Sequence, residues 1–180
     1  MRANELDLLL APDLGGPSPD HWQARWGAKL STARPIALPD GEDDPAAWVE
    51  AITRAAANAA RPVVFIAHSV GALAVALAAP RLSRADVRGA FLVAPPSDEA
   101  LATLTGKTWP PTPRTPLPWR SLLVASRADP WATPEYSRAL AEAWGSTFVD
   151  AGEAGRIDAA SDHGPWPDGL LRLAAFLKSL

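Results

Sequence analysis

The chain has 180 residues, 48% of them hydrophobic and 21% charged, with 17 Lys and Arg against 20 Asp and Glu for a net charge of −3, and it contains no cysteine. That length supports one domain over 1–180 with a buried core, and that charge supplies no attraction for nucleic-acid phosphates or anionic lipid, so neither nucleic acid nor a membrane is an expected partner. Without cysteine there are no disulfides, thiol nucleophiles or thiolate metal sites, and His21, His68 and His163 remain as histidine bases.

Short β-branched or Leu-rich runs alternate with Ala-rich stretches of helical spacing, the pattern of βα units around a parallel sheet. In chain order the pattern predicts strands at 6–10, 35–38, 63–67, 87–94, 121–126 and 147–150. Helices are predicted at 20–30, 45–60, 70–79, 134–144 and 167–180, the last from the stripe Leu170, Leu171, Leu173, Ala174 and Leu177 with Pro167 in its first turn. The acidic run Gly41-Glu42-Asp43-Asp44 reads as a solvated turn before the second helix. The expected fold class is α/β: a doubly wound, mostly parallel six-stranded sheet with helices on both faces and the site at the carboxyl ends of the strands.

Two features bear on location. The apolar stretch 6–11 carries Glu5 and Asp7 where a secretory signal needs positive charge. The run 70–79 is about half the length of a membrane-spanning helix. A cytoplasmic protein is expected. The segment 95–118 holds seven of the 19 prolines; it reads either as a lid or binding loop or as a proline-stiffened excursion pinned by Trp109 and Trp119.

Ala67-His68-Ser69-Val70-Gly71 stands where the 63–67 strand meets an Ala-rich helix. A serine there can be forced onto a sharp turn with its hydroxyl presented, and small residues at 67 and 71 let strand and helix approach. The plainer reading is a helix N-cap. A serine nucleophile needs a base and a group that orients it. Asp129, in Ser126-Arg127-Ala128-Asp129-Pro130-Trp131 after the fifth strand, fits the orienting acid, against a plain Asp-Pro turn with its carboxylate on local backbone. His163, between the last strand and the last helix, completes the chain order Ser69, Asp129, His163. His68 and Ser69 are neighbours on an extended strand and point to opposite faces, so His68 reads as buried support; His21 reads as a structural hydrogen-bonding residue. The oxyanion donors expected are the backbone amides of Val70 and of Leu14, in Pro12-Asp13-Leu14-Gly15-Gly16, a stretch that also reads as an ordinary Gly-Gly turn. Neither a GK[ST] loop nor a GxGxxG follows a strand, so no nucleotide cofactor is expected, and no metal.

Asp20-His21-Trp22-Gln23 with Trp26, the elbow Ala67-His68-Ser69-Val70-Gly71-Ala72, the Ser126–Trp131 loop and the closing Gly164-Pro165-Trp166-Pro167-Asp168-Gly169-Leu170 together resemble the small serine hydrolases grouped with bacterial YdeN and retinoblastoma-binding protein nine. The resemblance implies a compact α/β-hydrolase fold, a catalytic serine at Ser69 and a catalytic acid at Asp129. In the bacterial relatives the catalytic histidine resembles the second residue of a Gly-His-Ile-Asn run, whereas this chain reads Gly155-Arg156-Ile157-Asp158. Arginine stays protonated near neutral pH and cannot serve as a base.

Two readings follow. In one, His163 replaces the family histidine and the chain hydrolyses small carboxylic esters, or amides, through an acyl-enzyme. In the other, the triad is broken, Arg156 pairs with Asp129, and the fold serves as a ligand- or protein-binding module or a weak hydrolase, with Arg156 favouring carboxylate-bearing ligands. A small-molecule ester or acyl substrate is the expected partner, with Trp131, Trp109 and Arg156 as candidate pocket residues; no feature specifies a protein partner.

Overall fold

The computed structural model describes residues 1–38, 44–82 and 87–180. Six strands run in chain order as β1 (Asp7–Ala11), β2 (Ala33–Pro35), β3 (Val63–His68), β4 (Val87–Val93), β5 (Arg120–Ala125) and β6 (Thr147–Asp150). Between and after them come α1 (Trp22–Lys29), α2 (Pro45–Ala57), α3 (Val70–Ala78), α4 (Asp98–Thr105), α5 (Pro134–Trp144) and α6 (Pro167–Ser179). The strands form one sheet in the order β2-β1-β3-β4-β5-β6, every pair parallel, so the expected doubly wound α/β architecture is the one observed.

Alternate residues of each strand point to opposite faces, and the two faces carry two separate cores. Leu9, Phe65, Leu92 and Leu123 pack beneath α2, α3 and α5 through Trp48, Ile52, Leu73, Leu140 and Trp144. Leu8, Leu10, Val64, Ile66, Phe91 and Val124 pack beneath α1 and α6 through Trp22, Trp26, Leu173 and Phe176. Trp166 joins the second core, stacked on Trp26 with ring centroids 5.9 Å apart. Both faces of β1 and β3 are therefore covered, which is why these strands read as unbroken apolar runs.

The strand order reverses between β1 and β3, and such a switch point opens a crevice at the carboxyl ends of the strands. Gln23 spans it. Its buried side-chain amide donates to Ala11 O and Ile66 O, each at 3.0 Å, tying the ends of β1 and β3 together.

One predicted strand shifts and one helix is new. The second strand is Ala33–Pro35 rather than 35–38: proline has no N–H for a ladder, and although the Ile36 amide still reaches Leu10 O at 2.9 Å, the chain then leaves the sheet. The proline-rich segment contains α4, which the sequence reading omitted; Ser97 caps it by accepting from the Ala100 amide, and Gly106 ends it at φ 61°. Beyond α4 the segment is fastened to the body: Trp144 Nε1 donates to Pro113 O at 2.7 Å, and Trp109 and Trp119 are buried against Trp48 and Phe65. The segment is thus pinned to the body, and Trp109, expected among the pocket residues, is buried in the core. Of the acidic turn at 41–44, all but Asp44 lie outside the described residues; Asp44 caps α2 by accepting from the Ala46 amide. Among the described residues, no helix is long and apolar enough to cross a membrane.

Candidate active site

Ser69 joins β3 to α3 with φ 51° and ψ −121°, a strained conformation for a residue with a Cβ, costing roughly 1–3 kcal/mol. The surroundings hold it there. Its amide donates to Val93 O at 2.9 Å, its carbonyl accepts from the Ala72 amide at 3.0 Å, and Gly71 lets α3 lie directly on the end of β1. The serine is thus a turn residue set on rigid elements, and its side chain makes no capping bond. The Val70 amide opens α3, and the Leu14 amide lies in the turn after β1; among the described residues, neither has a backbone acceptor outside the helices and strands.

Arg156 Nη2 donates to Ser69 Oγ at 3.2 Å and to Asp13 Oδ2 at 2.5 Å, and Nη1 lies 3.8 Å from Asp158 Oδ2. The loop is built to present this side chain. Gly155 and Ile157 both have positive φ, 55° and 54°, and a Cβ on Gly155 would stand 2.6 Å from that of Ser161. Trp22 Nε1 donates to Ile157 O at 2.8 Å, and His68 Nε2 lies 2.9 Å from Arg156 O.

The Arg156 charge is already answered. Its ion pairs are with Asp13 and Asp158, not with Asp129 as the broken-triad reading expected. One guanidinium facing two carboxylates leaves the group with a net negative charge, which works against the carboxylate-bearing ligand expected from an isolated arginine.

Asp129 uses Oδ1 to accept from the Trp131 amide at 2.9 Å, the local turn contact that the plainer sequence reading described. Burial raises its carboxyl to about 6, with the Trp131 amide and then the Arg156 charge pulling the other way. Asp129 and Trp131 line a cavity of about 480 Å³ with Ala100 and Thr103 of α4 and Tyr136 of α5. The structure does not bring His163 to these residues. Its Nδ1 is 2.6 Å from Ser161 O, its ring packs edge-on to Trp166, and the cavity it lines includes neither Ser69 nor Asp129. The cause lies in the path of the loop: after the turn at Ile157 the chain enters a short 3₁₀ turn, Ala159–Ser161, and Asp162 at φ 65° sends His163 toward α6.

His21 and His68 serve structural roles, as expected. His21 Nδ1 accepts from the Gln23 amide at 3.1 Å to cap α1, and burial followed by the neighbouring His68 lowers its pKa to about 4. His68 is buried and its pKa is lowered, chiefly by that burial. The residues that sequence reasoning missed are Asp13 and Asp158. A carboxylate immediately after β1, facing a loop that carries an unexpected arginine, was the available signal. Among the described residues, no group of three or more His, Asp or Glu could hold a metal ion.

The serine hydrolase family model matches residues 8–175. A YdeN-like hydrolase of Pectobacterium atrosepticum is 32% identical, with a TM-score of 0.85 over 97% of this chain and 91% of that one. The ydeN product of B. subtilis, at 16% identity, shares the fold with a TM-score of 0.71 over 96% and 98%, as does the RedJ thioesterase of Streptomyces coelicolor at 19%, 0.64, 97% and 85%. No curated protein matches. With the elbow at Ser69 formed and the match running from β1 into α6, the chain belongs to the serine hydrolase family, with the α/β-hydrolase fold.

Proposed function

We propose that the protein hydrolyses small carboxylic esters or thioesters with Ser69 as the nucleophile and no histidine as its base. The observation that carries this reading is the 3.2 Å bond from Arg156 to Ser69 Oγ. The hydrogen bond that Arg156 donates favours the alkoxide of Oγ over the hydroxyl, an effect reduced by the two carboxylates paired with Arg156, and the guanidinium itself cannot accept the proton. The proton passes to water or hydroxide, Oγ attacks the acyl carbon, and the Val70 and Leu14 amides receive the charge that develops on the carbonyl oxygen. The acyl C–O or C–S bond then breaks, the alcohol or thiol leaves with a proton from water, and a second water cleaves the acyl-Ser69 ester, releasing the acid and returning the proton to Oγ. Turnover is slow in this scheme: an oxyanion hole and binding alone give roughly 10³ to 10⁴-fold over water, and a positioned base adds about 10² to 10⁴.

The test is fluorophosphonate labelling of Ser69, read by peptide mass, with ester hydrolysis alongside. Wild type labels slowly and faster with rising pH, His163→Ala labels at the same rate, and Arg156→His gains about 10²-fold or more. Loss of labelling in His163→Ala would instead establish the relocated histidine and overturn this scheme. The same bond also supports a second reading, a ligand-binding module without turnover, and wild-type protein that is folded yet never labels would select it.

A further inference from the structure

Beside the Asp13–Arg156 pair lies a second cavity of about 230 Å³, bounded by the loop after β1, the start of α1 and the turn at 158–160. Three polar atoms on its lining residues are buried with no hydrogen-bond partner among the described residues: His68 Nδ1, Gln23 Oε1 and Asp13 Oδ1. Gln23 and His68 are each only 1% exposed, so their unpaired atoms cannot turn to bulk water.

All three are acceptors, and the contacts on their other sides fix this. Gln23 Nε2 is committed to the two carbonyls Ala11 O and Ile66 O, so the atom left over is the amide oxygen. His68 Nε2 faces the carbonyl of Arg156 at 2.9 Å; a carbonyl only accepts, so Nε2 carries the hydrogen, and in the neutral ring that burial favours Nδ1 is a lone pair. Asp13 spends Oδ2 on Arg156 and keeps Oδ1. Asp13 and Asp158 are the charged residues of the lining, and no Lys or Arg joins them. Leaving a buried acceptor unmade is costly, and three unpaired acceptors on the residues of one lining, beside two carboxylates that share a single guanidinium, suit one kind of group: small, cationic and rich in N–H donors.

We infer that this cavity receives a primary ammonium group, and that the substrate is a short acyl ester or thioester carrying one. Leu14, the oxyanion donor, also lines the cavity, which lets an acyl carbonyl at the Leu14 and Val70 amides place an amino substituent there. The assignment to a substrate rests on the hydrolase reading above; occupancy by an ammonium does not.

The experiment separates the two. The full chain, ¹⁵N-labelled at histidine, is titrated by NMR with methylammonium chloride, and with tetramethylammonium chloride at equal ionic strength. The expected result is a saturable upfield shift of His68 Nδ1 at about millimolar methylammonium, no shift with tetramethylammonium, which has no N–H, and at least tenfold weaker methylammonium binding in Asp13→Asn. A flat titration, or equal response to both cations, overturns the inference. Aryl esters of 3-aminopropanoate and butanoate are then compared, with at least a tenfold higher kcat/KM expected for the amino ester. Equal values alongside methylammonium binding remove the ammonium from the substrate. Failure to turn over either ester defeats the hydrolase reading, while the titration still decides what the cavity holds.

Discussion

Replacing Gly71 by alanine drives a methyl group into the backbone at the switch point. Built on the existing backbone, the new Cβ stands 2.4 Å from Pro12 O, 2.5 Å from Ala11 O and 2.8 Å from Ala11 C. Reaching even 3.0 Å requires α3 and the end of β1 to separate by at least about 0.6 Å. Neither can yield easily: β1 is paired on both sides, with β2 and β3, and Gln23 fastens its end to β3. The cost belongs at the top of the range for overpacking, about 3 kcal/mol. With a urea slope of about 2 kcal/mol/M, the midpoint falls by about 1.5 M. Gly15→Ala is the control, because its φ of 72° disfavours a side chain although nothing lies within 4 Å; strain alone costs about 1–2 kcal/mol. The assay is urea unfolding followed by tryptophan fluorescence, with the slope required to stay constant. A Gly71→Ala cost no greater than that of Gly15→Ala would refute the account of the elbow as a backbone-to-backbone contact.

Gln23→Leu keeps the volume and removes the donors to Ala11 O and Ile66 O, so a loss of about 2–4 kcal/mol is expected in the same assay; an unchanged midpoint would show that the crevice ends do not depend on the tie. Asp129 gives a pH signature. Its folded pKa of about 6 lies above the ordinary 3.8, so between about pH 4 and 6 the folded chain holds a proton that the unfolded chain has released. Stability from this carboxyl is therefore present below about pH 4 and lost as pH rises through 6. Asp129→Asn, whose side-chain oxygen can still accept from the Trp131 amide, is expected to gain on wild type across that window, reaching about 1–2 kcal/mol at pH 7 once partial exposure is discounted. A difference that is flat with pH, or of opposite sign, would contradict the burial of this carboxyl. His163→Ala is expected to change stability by about 1 kcal/mol or less, since its ring is partly exposed and touches Trp166 at the edge.

The helices were most legible where their ends carried local chemistry. α5 matches its expected bounds because Thr133 caps it, Pro134 opens it and Gly145 closes it in the left-handed region. α4 had comparable signals in Ser97 and Gly106, but the surrounding prolines outweighed them. β2 is three residues long and largely exposed, and an edge strand of that kind has too little apolar content to fix its bounds, so the expected strand is drawn toward Ile36 and Leu38. At the site, the turn positions of Ser69, Val70 and Leu14 were legible because each lies between two neighbouring elements. The Asp13–Arg156 pair spans 143 residues of sequence, a separation at which no spacing or periodicity operates. The direction of His163 depends on Ile157 and Asp162 adopting positive φ, and for a β-branched residue such as Ile157 that conformation runs against expectation.

The hydrogen bonds on either side of residue 156 separate scaffold from chemistry. The carbonyl of Arg156 is held by His68 and that of Ile157 by Trp22, so the backbone is pinned by a strand end and a helix that take no notice of which side chain the residue bears. Position 156 is in effect a socket. Exchanging its occupant changes what meets the serine hydroxyl while the anchoring contacts stay as they are, so gain and loss of a proton acceptor lie one substitution apart on an otherwise unchanged protein.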